Sequence, residues 1–427
     1  MIRLGVVGTG RGKVFMNPPE HTDFKLTAVC DRCQDKLDLC KKRYDRDGTL
    51  RTFTDYDEMI HSGTVDAVIL ANYFNEHAPF AIKALNAGLH VMSECAAVNT
   101  LGEGVELCRA VEKSGKIYMI AENYLFTKVR LEMKRLYDEG ELGQMLYGES
   151  EYCHPMDNRT TYTIAPGEYH WRNQIPATYY CTHAIGPVMY ITGTMPVRVN
   201  GFVGMHADQS YRGDELRGQD PVGVIVSQMD NGAVVRTMQG PVRVPSGRTC
   251  IHGTMGGAEI DRMTGNLTVW HDDSNKCGQP SIRTYNPDWP DFGELASAAG
   301  HGGGDFWTMY YFSRAIKTGE QPWLNVYRAC AMSSVGILAW KSVCSGGQSF
   351  EMPDFACEEK RKRYENDNWT PFLKEGEDPA GKPPRTVSPW KPTEAAHVKA
   401  REVWESRHYW GLGFDQSVID EFYTGKN

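Results

Sequence analysis

No apolar run in this 427-residue chain reaches the ~20 residues that a membrane-crossing helix needs. The first strand begins at residue 2, which leaves no room for a leader, so the chain is expected in the cytoplasm with no membrane partner. Positive charge is also short: 46 Lys and Arg against 54 Asp and Glu give a formal net charge of −8. That balance argues against nucleic acid as a main partner. Repeats and low-complexity tracts are absent. Twelve cysteines are present, but only Cys30-Asp31-Arg32-Cys33 has ligand-like spacing. With no second such pair, the four ligands of a zinc site cannot be assembled, so buried free thiols, no disulfide framework and no metal are expected. What remains is a globular enzyme with a small ligand, long enough for two domains that each bury a core.

The N-terminal stretch supplies the first positive signal. Ile2 to Val7 is an apolar run of strand length, followed by Gly8-Thr9-Gly10-Arg11-Gly12, and Leu26 to Asp31 is a second strand ending in a carboxylate. Strand, glycine turn and acidic strand end are what dinucleotide binding requires. The glycines let the backbone approach a pyrophosphate, and the next helix N-terminus offers it free N–H groups. Asp31 lies 21 residues after Gly10, placed to accept hydrogen bonds from an adenosine ribose and to repel a 2′-phosphate. NAD is therefore expected over NADP. The motif is imperfect, since a third glycine would fall at Lys13 and the chain offers Gly12, while Pro18 and Pro19 cut the first helix short.

Strand and helix signals then alternate, which favours a parallel sheet wound on both faces. Helices are expected over Cys33–Arg46, Asp55–His61, Glu76–Asn86 and Leu101–Lys113. Apolar strands are expected over Asp66–Ala71, Leu89–Ser93 and Ile117–Ala121. A complete dinucleotide-binding domain of about 120 residues requires six strands, and Asn72, Glu94 and Asn123 at the ends of those read here would face one crevice.

Asp55 to Met59, Asp66 through His77, and Ala84-Leu85-Asn86-Ala87-Gly88-Leu89-His90-Val91 followed by Glu94 resemble the glucose-fructose oxidoreductase, inositol dehydrogenase and rhizopine catabolism (Gfo/Idh/MocA) family. The resemblance covers residues 2 to about 155. It implies an α/β Rossmann domain with a doubly wound parallel sheet, then an α+β domain whose open, mainly antiparallel sheet faces the nicotinamide and binds a sugar or polyol. Gly8, Gly10, Arg11, Gly12, Asp31, Asn72, Asn75, His77, Glu94, Cys95, Asn123 and Tyr180 are the expected cofactor-binding residues. Dehydrogenases of this family usually follow that glutamate with lysine and proline, whereas here the stretch reads Glu94-Cys95-Ala96-Ala97. A cysteine of ordinary pKa replaces neither the charge nor the proton relay of an ammonium.

In the second half, a helix is expected over Thr127–Glu139 and strands over Met145–Cys153, Val222–Met229, Ala233–Gln239, Arg248–Thr254, Ala258–Arg262 and Asn266–His271. Asp230-Asn231-Gly232 forms a hairpin turn. Tyr180-Cys181-Thr182-His183 with Gly186-Pro187-Val188 resembles a segment of the family's NAD-dependent glycosidases, typified by alpha-N-acetylgalactosaminidases. Glu122-Asn123, Tyr152 with His154, Arg172, and His301-Gly302-Gly303-Gly304-Asp305 resemble further segments.

That resemblance implies transient oxidation of the sugar C3 by NAD, loss of the C2 proton with expulsion of the C1 substituent, addition of water and re-reduction. Tyr180 and His183 are the candidate catalytic pair, His183 because it titrates near neutrality and Tyr180 if its neighbours lower its pKa. Tyr152, His154, Arg172, Thr182 and His301 are candidate substrate residues, with Arg172 offering fixed donors to an enolate or to sugar oxygens. Asp305 reads as the cap of a helix over Phe306–Lys317. Ahead of Gly253-Thr254-Met255-Gly256 the glycosidases carry a substrate tyrosine where this chain has Pro245-Ser246-Gly247, which leaves the sugar open.

The expected organisation is a nucleotide domain over residues 1–123, a sheet domain over 124–355 and a C-terminal arm over 356–427. The charged run Glu358–Arg363 reads as a solvated face, Pro379–Pro392 as an extended segment and Glu394–Arg407 as a helix. Three functions stay open: an NAD-dependent glycosidase, an NAD-linked sugar or polyol dehydrogenase, and a sugar-binding protein without activity. The partner in each is a carbohydrate or glycoside, and a homo-oligomer is expected.

Overall fold

The computed structural model describes residues 1–155, 162, 164–165, 170–204, 216–242, 244, 247–271, 281–373, 381, 383–386 and 392–406. The N-terminal strands are β1 (Ile2–Val7), β2 (Phe24–Cys30), β3 (Arg51–Phe53), β4 (Ala67–Leu70), β5 (His90–Ser93) and β6 (Tyr118–Ile120). They form one sheet in the order β3-β2-β1-β4-β5-β6, with every pairing parallel. Both faces are covered, so β4 is buried along its whole length, as an apolar run without alternation requires. The sixth strand is the short β3, whose Arg51-Thr52-Phe53 carries too little pattern to read from sequence.

The second sheet has nine strands: β7 (Met145–Cys153), β8 (Pro196–Gly204), β9 (Val222–Met229), β10 (Val234–Gly240), β11 (Thr249–Gly253), β12 (Gly256–Ile260), β13 (Leu267–His271), β14 (Ile282–Tyr285) and β15 (Phe350–Glu351). Its order is β14-β13-β12-β11-β7-β10-β9-β8-β15, and only β10 with β7 runs parallel. One face is covered by the buried helices Thr182–Thr192 and Val326–Cys344. The fold is thus the α/β Rossmann unit joined to a mainly antiparallel α+β domain, as expected. Among the described residues no helix is long and apolar enough to cross a membrane.

The charged run after Phe355 differs from expectation. Arg361 is buried between Glu112 and Glu358, and Arg109 of the helix Leu101–Ser114 binds Glu358 and Glu365. Gly102 allows this close return, because a Cβ there would meet Asn368 Oδ1 at 2.7 Å. The run folds back onto the nucleotide domain, where paired carboxylates compensate the buried guanidinium. Most of Pro379–Pro392, along with Arg407, lies outside the described residues. A helix is present over Glu394–Ser406.

Candidate active site

The glycine turn explains its own irregularity. Gly8 has φ 82°, and a Cβ on it would sit 2.5 Å from the Ala71 carbonyl oxygen, so only glycine fits there. A Cβ on Gly12 would meet Val6 Cγ1 at 2.6 Å, so Gly12 supplies the close helix-on-strand packing usually assigned to the third glycine of the motif. Above Gly10 there is open space. The Asp31 carboxylate, at the end of β2, accepts from Thr9 N at 2.8 Å and Thr9 Oγ1 at 2.6 Å. Asn72 Oδ1 and Asn123 Oδ1, after β4 and β6, are buried without partners. An open glycine turn, a ribose-height carboxylate and two unpaired amide oxygens in one crevice fit a dinucleotide.

Three other expected cofactor residues, His77, Arg11 and Glu94, bind protein groups in this structure. His77 is buried, with Nδ1 2.8 Å from Ala96 O and Nε2 3.3 Å from Asn72 O, so its ring ties loops together. Asn75 is exposed on a single 3₁₀ turn. Arg11 bridges two carboxylates, with Nε 2.6 Å from Glu94 Oε1 and Nη2 2.9 Å from Asp305 Oδ1.

Asp305 is not a helix cap. Gly303 occupies that position, and the Asp305 side chain accepts instead from Arg11, from Asn123 Nδ2 at 2.9 Å and from His301 Nδ1 at 2.9 Å. Burial raises its pKa, but the His301 bond and the Arg11 charge prevail and hold the carboxyl well below its usual range. His301, on a left-handed backbone beside Gly302 and Gly303, therefore faces Asp305.

At the floor of the site lies a residue that the sequence resemblance singled out without assigning it a role. Glu122, fully buried just after β6, accepts from Tyr124 N at 3.2 Å, His183 Nδ1 at 2.6 Å and Cys95 Sγ at 3.2 Å, and also from the Thr182 hydroxyl. Burial raises its pKa, yet the His183 charge and these donors bring the net shift down. Thr182 thus belongs to this cluster and not to the substrate surface expected for it. The signal available in sequence was the acidic residue directly after an apolar strand. Burial, with the Glu122 and Glu94 charges, drives the Cys95 thiol well above its usual value, so it stays protonated as a donor. The ligand atoms of Cys95, Glu122 and His183 lie within 4.8 Å of one another, a metal-like grouping that the spacing of cysteines alone could not reveal. Here they are hydrogen-bonded to each other.

His183, near the start of the helix Thr182–Thr192, is surrounded by Tyr152, Tyr124 and Tyr180, with ring centroids at 4.4, 4.7 and 5.3 Å. Tyr124 was not anticipated. Tyr152 and Tyr180 stack at 5.3 Å. Burial pushes the Tyr180 phenol up to about 12, with Arg172 opposing, so the lowering expected for it is not found in the protein itself. Tyr152, His154, Arg172 and Tyr180 line one cleft open to solvent. Arg172 stacks on Trp171 at 4.3 Å. Pro245 and Ser246 lie outside the described residues, so the expected departure there has no structural counterpart.

Residues 2–122 match the family model described as oxidoreductase family, NAD-binding Rossmann fold. Residues 2–122 are thus a Gfo/Idh/MocA nucleotide-binding domain, and the cofactor is NAD. The second domain gives the finer place: residues 261–362 match the glycosyl hydrolase 109 C-terminal domain. A glycosyl hydrolase family 109 protein of Solibacter usitatus is 26% identical over 389 residues, covering 83% of this chain and 88% of that protein. An alpha-N-acetylgalactosaminidase of Tannerella forsythia is 27% identical over 416 residues, with 83% and 86% covered. A levoglucosan dehydrogenase solved with NADH and levoglucosan shares the fold at a TM-score of 0.69 and 19% identity, covering 82% of this chain and 99% of that one.

Proposed function

We propose that this protein is an NAD-dependent glycoside hydrolase that passes through a C3 ketone, with Glu122, His183, Tyr180 and Arg172 as its working residues. The observation that carries the reading is the buried Glu122–His183 pair at 2.6 Å, set where the dehydrogenase ammonium is replaced by the neutral Cys95 thiol. A bound NAD, held by the glycine turn, Asp31, Asn72 and Asn123, supplies reversible hydride exchange with the sugar C3, which makes the neighbouring C2 hydrogen acidic.

Glu122 is ionised and accepts from Nδ1, which fixes the His183 tautomer and leaves Nε2 as the basic nitrogen. His183 Nε2 takes the O3 proton as the C3 hydrogen leaves as hydride, and releases it to solvent; it then takes the C2 proton, the electron pair forms the C1–C2 double bond, and the C1 substituent leaves with a proton from solvent. Water then adds at C1 as the proton returns to C2, and O3 regains a proton when hydride returns to C3. Tyr180, a phenol throughout, donates to the sugar oxygen that becomes the carbonyl, and Arg172 stabilises the enolate charge that builds on it.

The test is isotopic. Cleavage of an aryl glycoside in deuterated water should place deuterium at C2 of the released sugar, while deuterium built in at C3 is retained and no stoichiometric NADH accumulates. Cleavage without solvent deuterium at C2 would exclude elimination, and steady NADH from a free sugar would return the protein to the dehydrogenases.

Pairing of two copies through the open sheet accounts for Leu146 and Phe202, which are 59% and 54% exposed on its strands. Light scattering of the purified protein gives the stoichiometry.

A further inference from the structure

The reaction does not fix the sugar, but the charge pattern of the cleft narrows it. Its lining includes Tyr152, His154, Arg172, Tyr180, Arg217 and Gln219, two guanidiniums and an imidazole, and among its described lining residues there is no carboxylate.

Several inward-facing guanidiniums elsewhere are ion-paired, Arg11 by Glu94 and Asp305, Arg361 by Glu112 and Glu358, Arg248 by Glu149 and Glu259, and buried Arg130 is held by Thr127, Thr249 and the Gly247 carbonyl. Arg172 is different, because its side chain has no ion pair among the described residues, rests on the Trp171 ring, and buries Nε without a hydrogen-bond partner. A buried donor that no protein group satisfies is one that a ligand can satisfy. The fork of a guanidinium matches the paired oxygens of an oxyanion.

Two amides extend the pattern. Gln219 is 4% exposed with Oε1 unpartnered, and Gln239 is fully buried with neither amide atom partnered. Gln239 lies in register with Tyr152 on β7 and Gly223 on β9, and a Cβ on Gly223 would meet the Ala177 carbonyl at 2.8 Å. Tyr152 and Ala177 both line the cleft, so Gln239 lies buried on the same sheet face, behind the lining residues. Enclosure by the cleft, with the charges of Arg172 and Arg217 adding to it, holds the His154 pKa below its usual value.

We infer that this cleft takes a sugar carrying an oxyanion, a carboxylate, sulfate or phosphate, clamped by Arg172 and Arg217, with Gln219 reading a neutral hydroxyl. The substrate class rests on the glycosidase reading for its reaction, though not for its binding.

The experiment is calorimetry on the full chain saturated with NAD, titrated with galactose, glucose, galacturonate, glucuronate, and the 6-sulfate and 6-phosphate of galactose. At least one acidic sugar should bind roughly tenfold or more tightly than its neutral parent, and the uronate, sulfate and phosphate arms say which oxyanion it is. Arg172→Gln and Arg217→Gln should bring that ratio near unity, while Arg172→Lys keeps part of it. Circular dichroism checks that each variant is folded, and the wild-type ratio stands without them. Neutral sugars binding as tightly as every acidic one, or a ratio intact in folded arginine variants, would overturn the inference.

The same preparations, given the p-nitrophenyl glycosides of glucose and glucuronic acid in both anomers, separate the two readings. Acidic sugars that bind while no glycoside is cut sink the glycosidase and keep the oxyanion site. Glycosides that are cut while no acidic sugar binds more tightly than its neutral parent do the reverse.

Discussion

Two buried carboxylates at the crevice, Glu122 and Asp305, are both held ionised below their free pKa values, and they do opposite work. Glu122 faces His183, Cys95 and Thr182, whose protons can be shared or moved. Asp305 faces Arg11, a cation that never gives up its proton, together with Asn123 and His301. Similar burial and the same sign of shift thus yield a proton-handling pair in one place and a permanent clasp in the other. What separates them is the chemistry of the partner.

The largest consequence concerns rate. Glu122→Gln and His183→Ala should each lower glycoside turnover by about a hundredfold or more with NAD still bound, measured by steady-state kinetics at saturating cofactor. Asp305→Asn under the same conditions should cost far less, and an equal loss would erase the distinction between the two carboxylates.

Next comes cofactor retention. Arg11→Met removes the cation between Glu94 and Asp305 and leaves two carboxylates facing the crevice, so NAD affinity by calorimetry should fall roughly tenfold. Glu122→Gln should leave it within a factor of about two.

Asp31→Ala should narrow the preference for NAD over NADP more than it lowers Tm, read from the ratio of the two dissociation constants. NADP binding the native protein more tightly than NAD would remove Asp31 from the ribose.

Smallest is the effect of pH on stability. A folded carboxyl titrating below its free value, 4.5 for Glu122 and 3.8 for Asp305, contributes stability that is complete above that value and is lost as pH falls through the folded one. Burial, reinforced by Arg172, holds His170 neutral down to about 3, so it adds a loss that begins as pH drops below 6.5, where the unfolded ring gains its proton. Denaturant midpoints from pH 7 to 4 should decline, and His170→Phe should flatten the part of the decline nearest 6.5.

The nucleotide half of the chain was largely legible because its signals are local. An apolar run, a glycine turn and an acidic strand end lie within 31 residues, and β4 and β6 are buried along their whole length. Even Gly12, one position early for the motif, shows its reason only when Val6 is seen beneath it.

The site was less legible because it converges from distant segments. Cys95, Glu122 and His183 come from three separate elements, and nothing local marks Glu122 as the residue that orients the histidine. Asp305 read as a cap because Asp near a helix start usually is one, and its true partners Arg11 and Asn123 lie 294 and 182 residues away. Tyr180 was expected to be an easier proton donor, but enclosure by the second domain outweighs the nearby positive charge. Likewise the run Glu358–Arg363 looked solvated because its own residues are charged, while the surface that buries Arg361 is supplied by Glu112 from the first domain.

The Arg11–Asp305 clasp has a consequence for time. It joins the glycine turn of one domain to a helix of the other, and a Cβ on the adjoining Gly304 would lie 2.2 Å from the Asn123 carbonyl, so the two walls meet without a gap. A catalyst that ends each turnover with its nucleotide in the starting oxidation state has no need to exchange it. For such a cycle, slow escape carries no penalty, and the dinucleotide behaves as a resident part of the enzyme, one that should survive purification and dilution alike.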